Sequence, residues 1–168
     1  MQDINTKGDT TKVTMIPDPQ RNSQVYVYYR DLNGSYTIET FESINPFWQG
    51  DYAFVHFTYV PPDRRPFPGN DLYLFGEFTN YASDSSGKMS FNNETGAYEK
   101  TMFLKQGFYN YLYALRPPDR KGFPDFNTTE GNYYATENSY IVLVYYRPFG
   151  ARADEVIAFT SLNSMFQR

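Results

Sequence analysis

The sequence predicts an all-β fold arranged as an antiparallel β-sandwich. Aromatic residues make up 20% of the chain, with 17 Tyr and 15 Phe, and these side chains favour strands. No stretch of a dozen residues carries an apolar period of 3.6, so no long amphipathic helix is expected. Seven strand-like runs follow Gly50 at short spacing, separated by turn signals rich in Gly and Pro. That is the pattern of an immunoglobulin-like sandwich, expected here over residues 50–168.

Residues 1–20 are polar, lack periodicity and end in Pro17-Asp18-Pro19. They read as a flexible arm. Residues 21–49 read as a β-hairpin and a linker. Asn33-Gly34 separates two strand-like runs, 25–30 and 35–40, and both central positions of a type I′ turn need positive φ. The linker carries Phe47 and Trp48. Residues 51–60 are apolar on both alternating faces, which predicts a central strand. Residues 71–78 follow, with Gly76 marking a bulge or a close backbone approach. A polar loop then leads to runs 89–91 and 98–104, which flank a turn ending at Gly96. Gly107 turns into 108–115, where Tyr109, Tyr111, Tyr113 and Leu115 share a face. Tyr140 to Tyr146 is unbroken apolar sequence, the composition of a strand covered on both faces or at a subunit contact. Pro148-Phe149-Gly150 turns into the last strand, 155–162. The 25–40 hairpin is expected to add to a sheet edge, or to a second copy as a homo-oligomer contact.

Composition excludes several functions. Net charge is −4 with interspersed signs, unlike the broad basic surface of a nucleic-acid binder. Cysteine is absent and His56 is the single histidine, so thiolate or His-rich metal sites are not expected. No run approaches the ~18 apolar residues of a membrane helix, so no direct membrane insertion is expected. The first ten residues lack the apolar centre of a signal peptide. Phosphate loops, calcium loops and a Gly-x-Ser-x-Gly elbow are missing, so no cofactor is expected. Asp71 and Glu77 share a strand face but lie about 20 Å apart at ~3.3 Å per residue, too far for a catalytic carboxylate pair. His56 reads as a half-exposed strand residue. The chain is therefore expected not to be an enzyme, with no catalytic residue.

One internal repeat stands out. Pro61-Pro62-Asp63-Arg64-Arg65-Pro66-Phe67-Pro68 matches Pro117-Pro118-Asp119-Arg120-Lys121-Gly122-Phe123-Pro124. Counting strand reversals places both loops at one end of the sandwich. Arg and aromatic residues on a Pro-stiffened frame are what binding hot spots use. Arg64, Phe67, Arg120 and Phe123 are therefore candidate partner-binding residues, with Trp48 as a further anchor. The simpler reading is a stiff connector whose aspartates cap local turns. Thr136-Glu137-Asn138 likewise reads as a turn feeding the next strand, with Glu137 pairing locally.

Two resemblances add to this. Gly76-Glu77-Phe78-Thr79-Asn80-Tyr81 resembles the Gly-x-Phe-Asn-x-Trp signature of glycogen-binding, early-set immunoglobulin-like modules of starch-acting enzymes. That resemblance implies the early-set fold and, as an alternative function, a carbohydrate-binding module with Tyr81, Trp48, Tyr109 and Tyr111 as stacking rings. A broader resemblance runs from about Tyr29 onward. It rests on Asp31-Leu32-Asn33-Gly34, Asp51-Tyr52, Tyr73-Leu74-Phe75-Gly76-Glu77-Phe78 and Leu104-Lys105-Gln106-Gly107-Phe108-Tyr109-Asn110-Tyr111. It continues through Glu130-Gly131-Asn132, Thr136-Glu137-Asn138, Val144-Tyr145-Tyr146-Arg147 and Gly150-Ala151-Arg152. In this order the chain resembles the C-terminal part of the type IX secretion system plug proteins. The resemblance implies a non-enzymatic, periplasmic, outer-membrane-associated protein. Its partner would be the outer-membrane translocon protein whose empty pore it closes. It also implies that the large N-terminal portion of such proteins has no counterpart in these residues.

Overall fold

The structure, a computed structural model, describes residues 1–7, 10–29, 31–40, 45–119 and 122–165. It is all-β, as predicted. The strands are β1 (Asp3–Lys7), β2 (Thr10–Thr14), β3 (Asp18–Pro19) and β4 (Tyr36–Thr37). They continue with β5 (Tyr52–Val60), β6 (Asp71–Phe75), β7 (Ser90–Asn92) and β8 (Ala97–Lys105). The last four are β9 (Phe108–Tyr109), β10 (Leu112–Arg116), β11 (Ser139–Tyr146) and β12 (Glu155–Asn163). The chain divides into two compact units: Met1–Gln24 with Arg30–Asn132, and Val25–Tyr29 with Tyr133–Arg168.

The first unit is built on a sheet of order β1-β2-β5-β8-β7, with β3 also beside β5. The longest pairing is antiparallel, from Tyr52↔Lys105 to Tyr59↔Tyr98. β5 has a strand at each edge, as expected of a central strand. β6 pairs with β10 from Asp71↔Arg116 to Phe75↔Leu112. The core lies where these two sheets meet: Phe57, Tyr59, Met89 and Tyr98 pack with Leu72, Leu74, Tyr113 and Leu115. Tyr59 and Tyr113 join the layers, their rings 4.6 Å apart.

Residues 1–20 are not a free arm. β2 and β3 run parallel to β5, with Thr11↔Ala53 through Thr14↔His56 and Asp18↔Tyr59. β1 folds back on β2 as the sheet's edge. An edge ribbon facing water needs little hydrophobicity, so its polar composition resembled disorder. Met15 packs against the core, and Asp18 accepts two tyrosine hydroxyls.

The 25–40 segment is also not a hairpin. Its turn forms: Asn33 and Gly34 have φ of 50° and 84°, and Ser35 N–H donates to Leu32 O at 3.0 Å. The flanking strands do not pair. Tyr36–Thr37 pairs instead with Phe108–Tyr109, and Val25–Tyr29 belongs to the second unit. Four polar contacts pull the turn away from a local partner. Leu32 N–H donates to the Asn110 side chain, and Asn110 N–H to Ser35 O at 3.0 Å. Glu77 N–H donates to Gly34 O at 2.9 Å, while its carboxylate accepts from Tyr36 N–H at 3.1 Å. Gly76 fits the expected close approach: a Cβ there would sit 2.7 Å from Asn110 O.

In the second unit β11 and β12 form an antiparallel ribbon, from Ser139↔Asn163 to Tyr146↔Glu155, with a bulge after Val144. Residues 50–132 belong to the first unit and 133–168 to the second. The division follows from pairing: among the described residues β11 and β12 pair only with each other.

Candidate interaction surfaces

The two Pro-Pro-Asp-Arg loops leave the same end of the first unit, as counting reversals predicted. One runs from the end of β5 into β6, and the other leaves β10 at Arg116, which pairs with Asp71 at the start of β6. In the first loop Asp63 Oδ1 accepts from Arg65 N–H at 3.2 Å, a local Asx cap. Arg64 donates through Nη1 to Thr95 O at 3.0 Å. Phe67 does not face outward. Its ring stacks 5.7 Å from Tyr98 and lies 6.1 Å from Tyr59, and its N–H donates to the Tyr98 hydroxyl at 2.7 Å. The prolines hold the backbone outside while the ring plugs the open end of the core. Phe123 is 98% exposed. Arg120 and Lys121 lie outside the described residues.

Trp48, 85% exposed, stands on a one-turn helix, Pro46–Gln49. Lys105 Nζ donates to Phe47 O at 2.8 Å, and Lys105 pairs with Tyr52 at the start of β5. Trp48 is thus at the opposite end of β5 from the loops. At the same end of the sheet lie three rings, two of them on β5, the strand expected to be central. Tyr52 and Phe103 stack at 5.1 Å, and Phe54 meets Phe103 at 4.9 Å. All three rings are exposed, and Lys105 Nζ lies 4.9 Å from the centre of the Tyr52 ring. Apolar residues on both faces of a strand can mean two covers or one cover and one binding face. Sequence alternation does not separate these.

The rings proposed for a glycan are largely engaged internally. Tyr109 stacks on Tyr36 at 5.3 Å and donates to Lys105 O at 2.7 Å. Tyr111 donates to Asp18 Oδ2 at 2.9 Å and sets its edge against Phe57 at 5.3 Å. Tyr81 is exposed, lies 5.9 Å from Phe75 and holds an unusual φ of 51°.

The polar anchor of the first unit is Asp18. Its Oδ2 accepts from Tyr111 and, at 2.7 Å, from Tyr113. Burial pushes both hydroxyls well above the usual tyrosine pKa, and the Asp18 charge adds to it. Nearby, Arg21 pairs with Glu130 at 2.7 Å. Burial opposes the Arg21 charge, and Glu130, Asp18 and Tyr113 together more than offset it, so its pKa is raised. His56 Nδ1 meets Thr101 Oγ1 at 3.0 Å on the half-buried sheet face. Among the described residues no three His, Cys, Asp or Glu side chains gather as metal ligands. No helix among them is long and apolar enough to cross a membrane.

The β11–β12 ribbon is the largest departure from ordinary surface. Every residue of β11 is exposed. Ile141 and Phe159, two rungs apart on one face, are 74% and 78% exposed. β11 has no charged residue and β12 has only Glu155. Within its own unit β11 is paired along one edge by β12, and its side chains on both faces are exposed. The open end of the ribbon is tied by Thr136-Glu137-Asn138. Asn138 N–H donates to Ser164 Oγ at 2.8 Å, and Asn163 Nδ2 to Glu137 Oε1 at 2.5 Å. This tripeptide is a local closure, as its simpler reading held.

No protein-family model matches the chain, and no curated protein does. The chain is similar to the crystal structure of a hypothetical protein from Parabacteroides merdae ATCC 43184, with 37% sequence identity and a TM-score of 0.89. The match covers 97% of this chain and 40% of that one, so the chain spans about two fifths of the length of the protein it resembles.

Proposed function

We propose that this chain is a non-enzymatic protein-interaction domain of a type IX secretion plug protein, helping to close the periplasmic side of the outer-membrane translocon. The observation that carries the interaction reading is the ribbon. A surface so apolar and so poor in charge is a contact surface, because large exposed apolar patches otherwise promote aggregation. The plug reading adds the resemblance of the ordered motifs from Asp31 to Arg152. Occlusion by such a domain works through shape and contact and forms no covalent bond. A specific seal needs about 800 Å² per partner. The loop end, with Arg64, Arg120 and Phe123, is the surface assigned to the translocon.

The test is an affinity pull-down from detergent-solubilised outer membranes of the source cell, with this chain as bait. A very large outer-membrane protein should be recovered, and lost when Arg64, Arg120 and Phe123 are all changed to alanine. Recovery of no such protein sinks the plug reading. A second reading, glycan binding, is favoured by one observation: Tyr52, Phe54 and Phe103 are exposed rings at the same end of the sheet as Trp48. A glycan array that lights up with wild type and goes dark with Tyr52→Ala and Phe103→Ala would support it.

A further inference from the structure

We propose that the β11–β12 ribbon is a seat for a second domain of a longer polypeptide. That domain corresponds to the part of the Parabacteroides merdae chain that the match does not reach, and it covers the ribbon on both faces. The inference rests on the reading of this chain as a contact domain, and names what the ribbon contacts.

Four observations point there. Alternation along the ribbon puts Ile141, Leu143 and Phe159 on one face and Tyr140, Val142 and Val144 on the other. All six are exposed. A ribbon with one wet face would alternate apolar and polar residues, and this one does not.

The near absence of charge distinguishes the kind of cover. Surfaces that live alternately free and bound keep charged rims, whereas permanent contacts resemble a domain core cut in half. β11 has no charge at all. A cover present throughout the life of the protein is therefore the fitting occupant.

Size decides against a second copy. A two-stranded ribbon of nine residues, at ~3.3 Å per residue and ~4.8 Å between strands, offers roughly 300 Å² per face. Two copies packed face to face fall short of the about 800 Å² per partner of a stable contact. They would also leave each outer face bare. A domain that wraps the ribbon, adding strands to its two edges, meets both needs.

The similar protein supplies the chain length. The match leaves only 3% of this chain unpaired, about five residues, fewer than either ribbon strand, which have 8 and 9 residues. Most of the ribbon therefore has a counterpart there. Yet 60% of that chain lies outside the match, the remainder of the 40% covered. A polypeptide of that size has room for the cover.

The test compares the 168-residue chain alone with a chimera in which it replaces the matched part of the Parabacteroides merdae protein. Hydrogen exchange is followed at residues 139–146 and 155–163. The expected result is at least tenfold slower exchange there in the chimera, with residues 72–74 unchanged. Ile141→Asp with Phe159→Asp should abolish the slowing. Ile141→Thr with Phe159→Thr, which places strand-favouring β-branched side chains at both positions and so keeps a foldable ribbon, should reduce it. Equal exchange in chimera and isolated chain overturns the proposal. So does an isolated chain that is dimeric with its ribbon already protected, which would assign the seat to a second copy. The pull-down reads the loop end, so its failure beside a protected ribbon rejects the plug reading alone. A translocon protein lost on ribbon substitution would place the partner on the ribbon and overturn this inference.

Discussion

The Tyr113 hydroxyl donates to the Asp18 carboxylate across 95 positions of sequence, at 2.7 Å. With Tyr111 on the same oxygen, this joint ties the N-terminal strands to the sheet that faces them. Asp18→Ala strands two buried hydroxyls and removes two charge-assisted bonds. It should destabilise the first unit by about 2–4 kcal/mol, measured by urea unfolding. Asp18→Asn keeps an acceptor and should cost less. An unchanged midpoint in Asp18→Ala would show that the joint is ornamental.

Alkaline pH should attack the same region. Unfolded tyrosine ionises near pH 10. Burial first, and Asp18 second, hold Tyr111 and Tyr113 above that value; burial, with Glu130 second, does so for Tyr59. A raised folded pKa means the folded state favours the neutral form. Its contribution is complete below about pH 10 and is lost as pH rises from there toward the folded values. The urea midpoint should therefore be flat from pH 8 to 9 and fall above 10. A phenolate titration at 295 nm that shows every tyrosine ionising near 10 in the folded chain would contradict this.

Phe67 and Phe123 occupy matching places in the repeated loops and should behave oppositely. Phe67→Ala empties a space beside Tyr59 and Tyr98 and should cost about 2–4 kcal/mol. Phe123→Ala removes an exposed ring and should change stability by less than about 0.5 kcal/mol. Thermal melts of the two variants read the difference directly.

Gly76→Ala brings a methyl to 2.7 Å from the Asn110 carbonyl, which is backbone and does not swing aside. Overpacking of this kind should cost about 1–3 kcal/mol by urea unfolding. A variant as stable as wild type would show that β6 and the 108–110 segment can part.

What sequence made legible was local. β5, β6, β8, β11 and β12 declared themselves through composition and alternation, and Asn33-Gly34 through its need for positive φ. Partner choice was not legible. β2 pairs in parallel with β5, a relation without a turn to announce it, and its polar edge looked like a tail. The Asn33-Gly34 turn formed, yet Asn110 and Glu77, remote in sequence, decided what its strands would meet. Phe67 sat among prolines and was read as displayed, whereas it closes the core. Tyr52 and Phe54 made β5 look covered on both sides, and the structure leaves them bare.

The parallel placement of β2 and β3 beside β5 also sets a timetable. β7 and β8 meet through a short turn, whereas both long pairings of β5 close over distance: Thr11 finds Ala53 across 42 positions, and Tyr59 finds Tyr98 across 39. Closing such a loop costs entropy before any contact rewards it, and parallel long-range pairing is slow. On the ribosome β1 and β2 are made before β5 and have no sheet to join until it follows. Until β5 emerges, the β1–β2 ribbon is a nascent edge with no acceptor, and that waiting period is when this chain is most open to wrong pairings and to chaperones.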